Sequence, residues 1–393
     1  MYKKIIIAVV FIISLLLPAT AAADIEDAIN NSAKAALLMD ASTGTIIYAR
    51  NENERRPVAS VTKVMTLYLI FEAMENGQFT LEDLVTVSMN AQSMGGSQVY
   101  IEANGQYKVN DLIKSIIIAS GNDACVAMAE FVAGSETAFV DRMNDKAREL
   151  GLSNTHYENC TGLSAEGNYM SAYDVAVLSS LLIHHDIFFN YSKIYTDELI
   201  HPGGRKTMLT NTNKLVNTYN GCDGIKTGFT NDAMYCLSAT AKRGDTRLIA
   251  VVLGEPTINV RNNDIAEMLN YGFANYKTEL LFAKNQIIKE NLHIYGAEQV
   301  KVSAVAMDDI CAFVLKQKSD SVAHTIKLRD DICAPVSKGD IIGNIEIYMD
   351  QEMIDSYGIT VNRDVKRATF GQCLGYVASS FCYRGYYNIE DEP

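Results

Sequence analysis

Ser60 and Lys63 stand three residues apart in Pro57-Val58-Ala59-Ser60-Val61-Thr62-Lys63-Val64-Met65. The proline restricts the approach, and apolar residues follow at Val61, Met65, Tyr68 and Leu69. This pattern predicts a loop running into a helix, with Ser60 at the N-cap or in the first turn. Asn76-Gly77 supplies the stop. Positions three apart share a helix face, so the hydroxyl and the amine lie about one turn from each other. The pair suits nucleophilic catalysis. A serine attacks only once its proton is taken, and an amine takes it when its pKa is lowered. A helix start adds free N–H groups and partial positive charge beside a developing oxyanion. Alone the pair is weak: S-x-x-K arises about once or twice by chance in a chain of this length, as a capping serine with a solvated lysine.

Two further groups give it company. Ser120-Gly121-Asn122 and then Lys226-Thr227-Gly228 follow in order, and an ordered K-T-G arises by chance in well under about one chain in ten. The elements around them fit. Helical spacing of Leu112, Ile113, Ile116 and Ile117 runs a helix into Ser120, and Ala124 to Val132 continues as another. Helices are also expected over Phe139 to Leu150 and from Ala172 through Leu182, separated by a polar, irregular stretch from Asn154 to Gly167. Lys226 falls where a short strand meets a turn. Strands are expected at Ala35–Met39 and Thr45–Ala49, and at Met234–Ala241 and Arg247–Gly254 around an Arg243-Gly244-Asp245 turn, before a helix from Ile265 to Tyr276. Past residue 280 helical periodicity gives way to short alternating pieces such as Ile345-Glu346-Ile347, the pattern of a small β-domain.

Composition narrows the function further. A net charge of −13 over 393 residues argues against nucleic acid as a partner. Residues 1–23 have the form of a secretory signal peptide: Lys3-Lys4, an apolar run from Ile5 to Leu17, and Ala21-Ala22-Ala23 before Asp24. The protein is therefore expected to work outside the cytoplasm. Its eight cysteines form no C-x-x-C, and several sit in apolar runs that favour buried thiols, so no disulfide is assigned. His184-His185 and the other four histidines lack H-E-x-x-H spacing, so neither a metal centre nor a Ser-His-Asp triad is expected. In the tail, Phe370, Cys373, Leu374, Val377 and Phe381 share one helical face. That face either lies on a membrane surface or packs against the protein.

On these residues the chain resembles the D-alanyl-D-alanine carboxypeptidases, the serine-type low-molecular-mass penicillin-binding proteins, whose motif set is S-x-x-K, S-x-N and K-T-G. The likeness covers nearly everything after the signal peptide. It includes Ala35 to Asp40, Pro57 to Lys63, Ser120 to Ala124, Ala172 to Asp174, Gly224 to Gly228 and Leu269 to Phe273. It implies an α/β (α+β) transpeptidase/β-lactamase-like domain, an antiparallel sheet flanked by helices, followed by a small β-rich domain. The corresponding divisions are 1–23 signal peptide, 24–280 catalytic domain, 281–366 β-rich domain and 367–393 tail, an amphipathic membrane anchor in the family's plan.

The resemblance also implies roles. Ser60 attacks the peptide between two D-alanines, Lys63 is its base, and Ser120 relays a proton to the departing D-alanine. Asn122 holds Lys63 and the substrate amide. Lys226 and Thr227, with Gly228, receive the substrate carboxylate, helped by Arg261, which stands eleven residues before Gly272. The N–H groups of Ser60 and Phe229 form the oxyanion hole, and Lys226 together with burial lowers the pKa of Lys63. No cofactor is implied. The implied partners are peptidoglycan stem peptides ending in D-Ala-D-Ala, β-lactam antibiotics and the outer face of the cytoplasmic membrane. Phe229 departs from members that carry histidine there, and Met170 stands where a small hydroxyl residue is common.

Alternatives remain at this level: a β-lactamase-like hydrolase, a DD-endopeptidase, or a non-catalytic penicillin- or peptidoglycan-binding protein. A class A β-lactamase needs a deacylating glutamate in E-x-x-L-N between the second and third motifs. Glu267-Met268-Leu269-Asn270 follows Lys226 instead, and Glu166 lacks the L-N context. Asp174 reads as a helix N-terminal charge, and Arg261 has the alternative of pairing with an acidic neighbour.

Overall fold

In a computed structural model, which describes residue 29 and residues 31–298 and 301–384, the chain divides into two compact units. The first takes residues up to 39, 46–242 and 248–272; the second takes 40–45, 243–247 and everything from 273. The signal-peptide segment lies outside the described residues.

The first unit is built around α1 (Lys63–Glu75), whose Val64, Met65, Leu67, Leu69, Ile70 and Phe71 are all buried. A helix apolar on nearly every side has to be wrapped by other elements. It ends as expected at Asn76-Gly77: Gly77 takes φ 73°, and Gln78 N–H reaches back to Ala73 O. Of the two places the sequence allows Ser60, N-cap or first turn, the structure gives the turn. A single 3₁₀ turn, Ala59–Thr62, precedes α1, and no side chain caps the helix. Ser60 is therefore not an N-cap. Its hydroxyl is turned to Lys63 rather than to the backbone.

Around α1 lie α2 (Val109–Ala119), α3 (Asn122–Ala133), α4 (Glu136–Glu149) and α5 (Ala172–Leu182). Ser120 ends α2 in the left-handed region at φ 61°, and that turn sets Asn122 at the first position of α3. The Asp123 carboxylate accepts from the N–H groups of Val99 and Ile101 and so ties down the loop before α2. Ser171 caps α5 by accepting from Asp174 N–H. The Asp174 carboxylate in turn accepts from Asn154 N and Thr155 Oγ1 at 2.9 and 2.7 Å. Asp174 is thus a brace for the irregular stretch that faces the motif residues.

The sheet of this unit consists of β1 (Ala35–Asp40), β2 (Ile46–Arg50), β3 (Cys222–Thr230), β4 (Met234–Arg243) and β5 (Thr246–Glu255), in the order β2-β1-β5-β4-β3. The outer pairs β1–β2 and β3–β4 are antiparallel, and β3 is an edge. Leu248 to Leu253 are buried at every position, so the central strand is covered on both faces. The last helix, α6 (Ile258–Asn275), lies so close that a Cβ on Gly272 would reach Leu248, Leu38 and Ile47.

At the end of β5, Glu255 is fully buried, accepts from Ser32 Oγ at 2.8 Å and neighbours Asp264. Burial, then the Asp264 carboxyl, push its pKa up to about 7. The folded state then holds this proton to higher pH than the unfolded chain. Its stabilising contribution is complete below about 4.5 and is lost as pH rises through 7. Glu255→Gln should remove this dependence: the urea midpoint of the variant should fall less between pH 5 and 7.5 than that of the parent. Parallel curves would place the titration elsewhere.

The second unit contains β6 (Tyr276–Phe282), β7 (Ile287–Lys289), β8 (Ala304–Ala306), β9 (Ile310–Leu315), β10 (Val322–Leu328), β11 (Gly343–Met349) and β12 (Glu352–Val361). β6 pairs with β9, and the rest form a sheet ordered β7-β8-β12-β11-β10. Alternate residues, Ile310, Ala312 and Val314 on β9 and Ile345 and Ile347 on β11, enter one core with Ile359 and Val361. Residues 301–303 are not strand; it begins at Ala304. The final helix, α7 (Phe370–Arg384), leaves Phe370, Leu374 and Val377 83, 61 and 55% exposed. Among the described residues, none covers these three side chains. The side chain of Phe381 and residues 385–393 lie outside what is described.

Candidate active site

Lys63 is completely buried, and its amine has three neighbours at hydrogen-bond distance. Asn122 Oδ1 lies at 2.6 Å, the carbonyl of Thr161 at 2.7 Å and Ser60 Oγ at 2.9 Å. The first two can only accept. A neutral amine has two N–H bonds for them and one lone pair left, and the remaining neighbour, the Ser60 hydroxyl, can donate to it. An ammonium group would also be satisfied, donating to all three, so it is burial rather than the partner set that favours the neutral amine. Burial pushes the pKa of Lys63 down; Cys125, Cys160 and Asp123 partly oppose this.

Lys226, also fully buried, is held well below the usual amine range by burial, then by the positive charges of Lys63 and Arg261. Burial is the leading cause for both lysines, and the repulsion between the two amines disfavours charging them together. Lys226 Nζ donates to its neighbour's carbonyl, Thr227 O, at 3.1 Å.

The other motif residues converge on the same place. Asn122 donates from Nδ2 to Gly95 O at 2.7 Å, which fixes its carbonyl toward Lys63. Ser120 Oγ is buried without a hydrogen-bond partner, so it is not bonded to either lysine. Thr227 Oγ1 donates to Thr212 Oγ1 at 2.7 Å. Gly228 is required by proximity: a Cβ there would overlap Val58 O and come within 3.1 Å of Ser60 N. This close approach sets the edge strand β3 against the nucleophile's own backbone. Phe229 is half exposed and lies against Tyr235 with ring centroids 4.4 Å apart. Arg261, buried on α6, donates to Asn262 Oδ1 rather than to a carboxylate, and burial lowers its pKa to about 10, so it stays charged at neutral pH.

The sequence reading missed the segment that closes the site from below. Asn159 Oδ1 accepts from Thr161 N, Thr161 Oγ1 and Gly162 N, folding a tight turn that presents Thr161 O to Lys63. Gly162, at φ 81°, packs so tightly that a Cβ would overlap Ala59 O. Asn159-x-Thr161-Gly162 was the available signal, an Asx-turn pattern inside an otherwise irregular stretch. Behind the site, Cys125 and Cys160 are free thiols with sulfurs 3.9 Å apart, and the seven described cysteines are all unpaired by disulfide.

Glu166 is exposed on the same loop and makes no hydrogen bond to Ser60 or Lys63. It is not positioned as a deacylating base. Among the described residues, no group of three or more His, Cys, Asp or Glu side chains could hold a metal ion.

Comparison with known proteins gives a consistent picture. Residues 20–257 match the family model of D-alanyl-D-alanine carboxypeptidase, and residues 276–367 that of the penicillin-binding protein 5 C-terminal domain. The chain is 40% identical over 341 residues to the D-alanyl-D-alanine carboxypeptidase DacF of Bacillus subtilis, covering 86% of this chain and 87% of that one. It is 33% identical to DacA of Escherichia coli, over 89% and 88% of the two chains. Among solved structures, penicillin binding protein 5 from Haemophilus influenzae superposes with a TM-score of 0.72 at 31% identity, covering 86% of this chain and 98% of that one.

Proposed function

Since the chain belongs to the D-alanyl-D-alanine carboxypeptidase family, we propose that Ser60, Lys63 and Ser120 carry out the reaction and that Asn122, Lys226, Thr227, Gly228, Phe229 and Arg261 hold the substrate. The enzyme is a serine-type D-Ala-D-Ala carboxypeptidase acting on peptidoglycan peptides, of the class inhibited by β-lactams. The observation that carries the residue assignment is the Lys63 amine, desolvated and 2.9 Å from Ser60 Oγ with two obligate acceptors on its other sides.

In this reading Ser60 Oγ attacks the carbonyl of the penultimate D-alanine while its proton passes to Lys63 Nζ. The oxyanion is met by the N–H groups of Ser60 and Phe229. The C–N bond then breaks, and a proton passes through Ser120 Oγ to the amine of the departing D-alanine. This leaves an ester on Ser60, which water hydrolyses with Lys63 again as base. The C-terminal carboxylate sits by Lys226, Thr227 and Arg261. The substrate's carboxylate favours the ammonium form of Lys226 and opposes the burial that lowers its pKa.

The chemistry belongs to residues 24–280, followed by the β-rich 281–366. The exposed apolar face of α7 supports the tail as a peripheral anchor on the outer face of the cytoplasmic membrane, in keeping with an extracytoplasmic enzyme whose signal peptide is removed. Incubating the mature protein with a peptide ending in D-Ala-D-Ala should release free D-alanine. Benzylpenicillin added beforehand should stop the release. Penicillin binding without any D-alanine released would favour the non-catalytic reading.

A further inference from the structure

We propose that Cys125 and Cys160 form an oxidation site, a thiol pair that a small hydroperoxide joins into a disulfide. The bond slows the enzyme by displacing the groups that hold Lys63. That effect on rate rests on Lys63 being the base; the bond itself does not. The two thiols come from α3 and from the loop before α5, and their sulfurs lie 3.9 Å apart. Both residues are fully buried. Cys160 Sγ also lies 3.4 Å from Glu136 Oε1, and Glu136 is only part-buried at the start of α4. One side chain therefore separates the pair from solvent. That depth suits an oxidant as small as hydrogen peroxide and excludes a bulky disulfide.

The pair sits at the root of the cradle around Lys63. The amine's two carbonyl acceptors are Asn122 Oδ1 and Thr161 O. Cys125 stands three residues after Asn122 on α3, and Cys160 directly precedes Thr161. The Cys160 carbonyl accepts from Thr66 Oγ1 on α1 at 2.7 Å, which ties the same loop to the helix that bears Lys63. Bonded sulfurs sit far closer than these two, so the bond draws α3 and the loop together. The loop has little room to follow as a whole, because Gly162 already lies against Ala59 O and Asn159 fixes the turn. The movement falls on Thr161 O and its contact with Lys63.

The reaction consumes one peroxide. Cys125 Sγ attacks a peroxide oxygen; the S–O bond forms, the O–O bond breaks, and hydroxide leaves with the thiol proton as water. Cys160 Sγ then attacks Cys125 Sγ and expels the sulfenic hydroxyl, which takes the second thiol proton and leaves as water. The two thiols are oxidised to one disulfide, and the peroxide is reduced to water. Cys125 suits the first step. Burial raises its pKa, but the Cys160 thiol beside it, with Lys63, outweighs burial and leaves it below the usual thiol range. Outside the cytoplasm, where a cell-wall enzyme acts, such a bond persists once formed.

The test treats the reduced mature protein with hydrogen peroxide, alkylates it after unfolding, and maps the thiols by mass spectrometry. A crosslinked peptide pair carrying Cys125 and Cys160 is expected. Benzylpenicillin acylation should fall by roughly 10- to 100-fold on oxidation, the scale of an ångström's misplacement around a reacting group, and return with dithiothreitol. The oxidised protein should melt no lower than the reduced one, which separates this loss from unfolding. Cys160→Ala should acylate at the parent rate both before and after peroxide. If that variant does not fold, the crosslink and its rescue by reductant in the parent protein still decide. Both thiols left alkylatable, oxidation that stops at a sulfenic or sulfinic acid, or a disulfide without loss of acylation would overturn the inference. A reduced protein that penicillin does not acylate would instead overturn the roles of Ser60 and Lys63, whether or not the crosslink forms.

Discussion

Ser60→Ala is expected to abolish the covalent adduct with benzylpenicillin and to lower D-alanine release by roughly 10⁶-fold, the scale seen when a serine nucleophile is removed from an enzyme that acts through it. Ser60 is half-buried, and its Oγ lies 2.9 Å from the amine of Lys63. The other motif serine, Ser120, is buried with an oxygen that contacts no base, so it offers no replacement nucleophile. Stability should change little, because Ser60 Oγ caps no helix and contributes no fold-holding bond beyond its contact with Lys63. Intact-protein mass spectrometry after incubation with penicillin reads the result directly. One adduct on the parent and none on the variant is expected; an adduct that persists in Ser60→Ala moves the nucleophile elsewhere.

Lys63→Arg should lower acylation by roughly 10³- to 10⁴-fold, toward the upper end of what a positioned base contributes. Arginine stays protonated in any protein environment and has no lone pair to receive the serine proton. Its planar fork is also larger than a cradle shaped by Asn122 Oδ1 and Thr161 O around a fully buried amine. The parent enzyme should show the complementary pH profile. The active form is the neutral amine, and burial moves the pKa of Lys63 down from 10.5, so acylation rises with pH through that lowered value and levels off above it. In Lys63→Arg that rise should be absent. Acylation at the parent rate in this variant would remove Lys63 as the base and direct attention to Ser120 and Lys226.

Much of this was legible in the order of residues because it depends on near neighbours. The spacing of Ser60 and Lys63, the stop at Asn76-Gly77, the start of α5 at Ala172 and the alternation in β11 are set by periodicity, caps and turns within a few residues. The three motifs are short for the same reason: each is a local arrangement that backbone geometry holds in place. Even locally there was a limit. A serine ahead of an apolar run reads equally as an N-cap or a first-turn residue, and it is Ala59 at φ 50° and the 3₁₀ turn after it that decide, turning Ser60 Oγ toward the lysine.

What tertiary structure decided is how these pieces meet. Lys63 finds Asn122 and Thr161 at separations of 59 and 98 residues, and no local pattern encodes either contact. The glycines show the cause plainly. Gly162 is held against Ala59 and Gly228 against Val58 and Ser60 by backbones that come from distant parts of the chain, and only the absence of a Cβ lets them close. That closure excludes water from both lysines. The sequence by itself determined which groups could do the chemistry, through their types and their local spacing; burial by the folded chain determined their protonation, because removing an amine from water disfavours its charge whatever its neighbours in sequence.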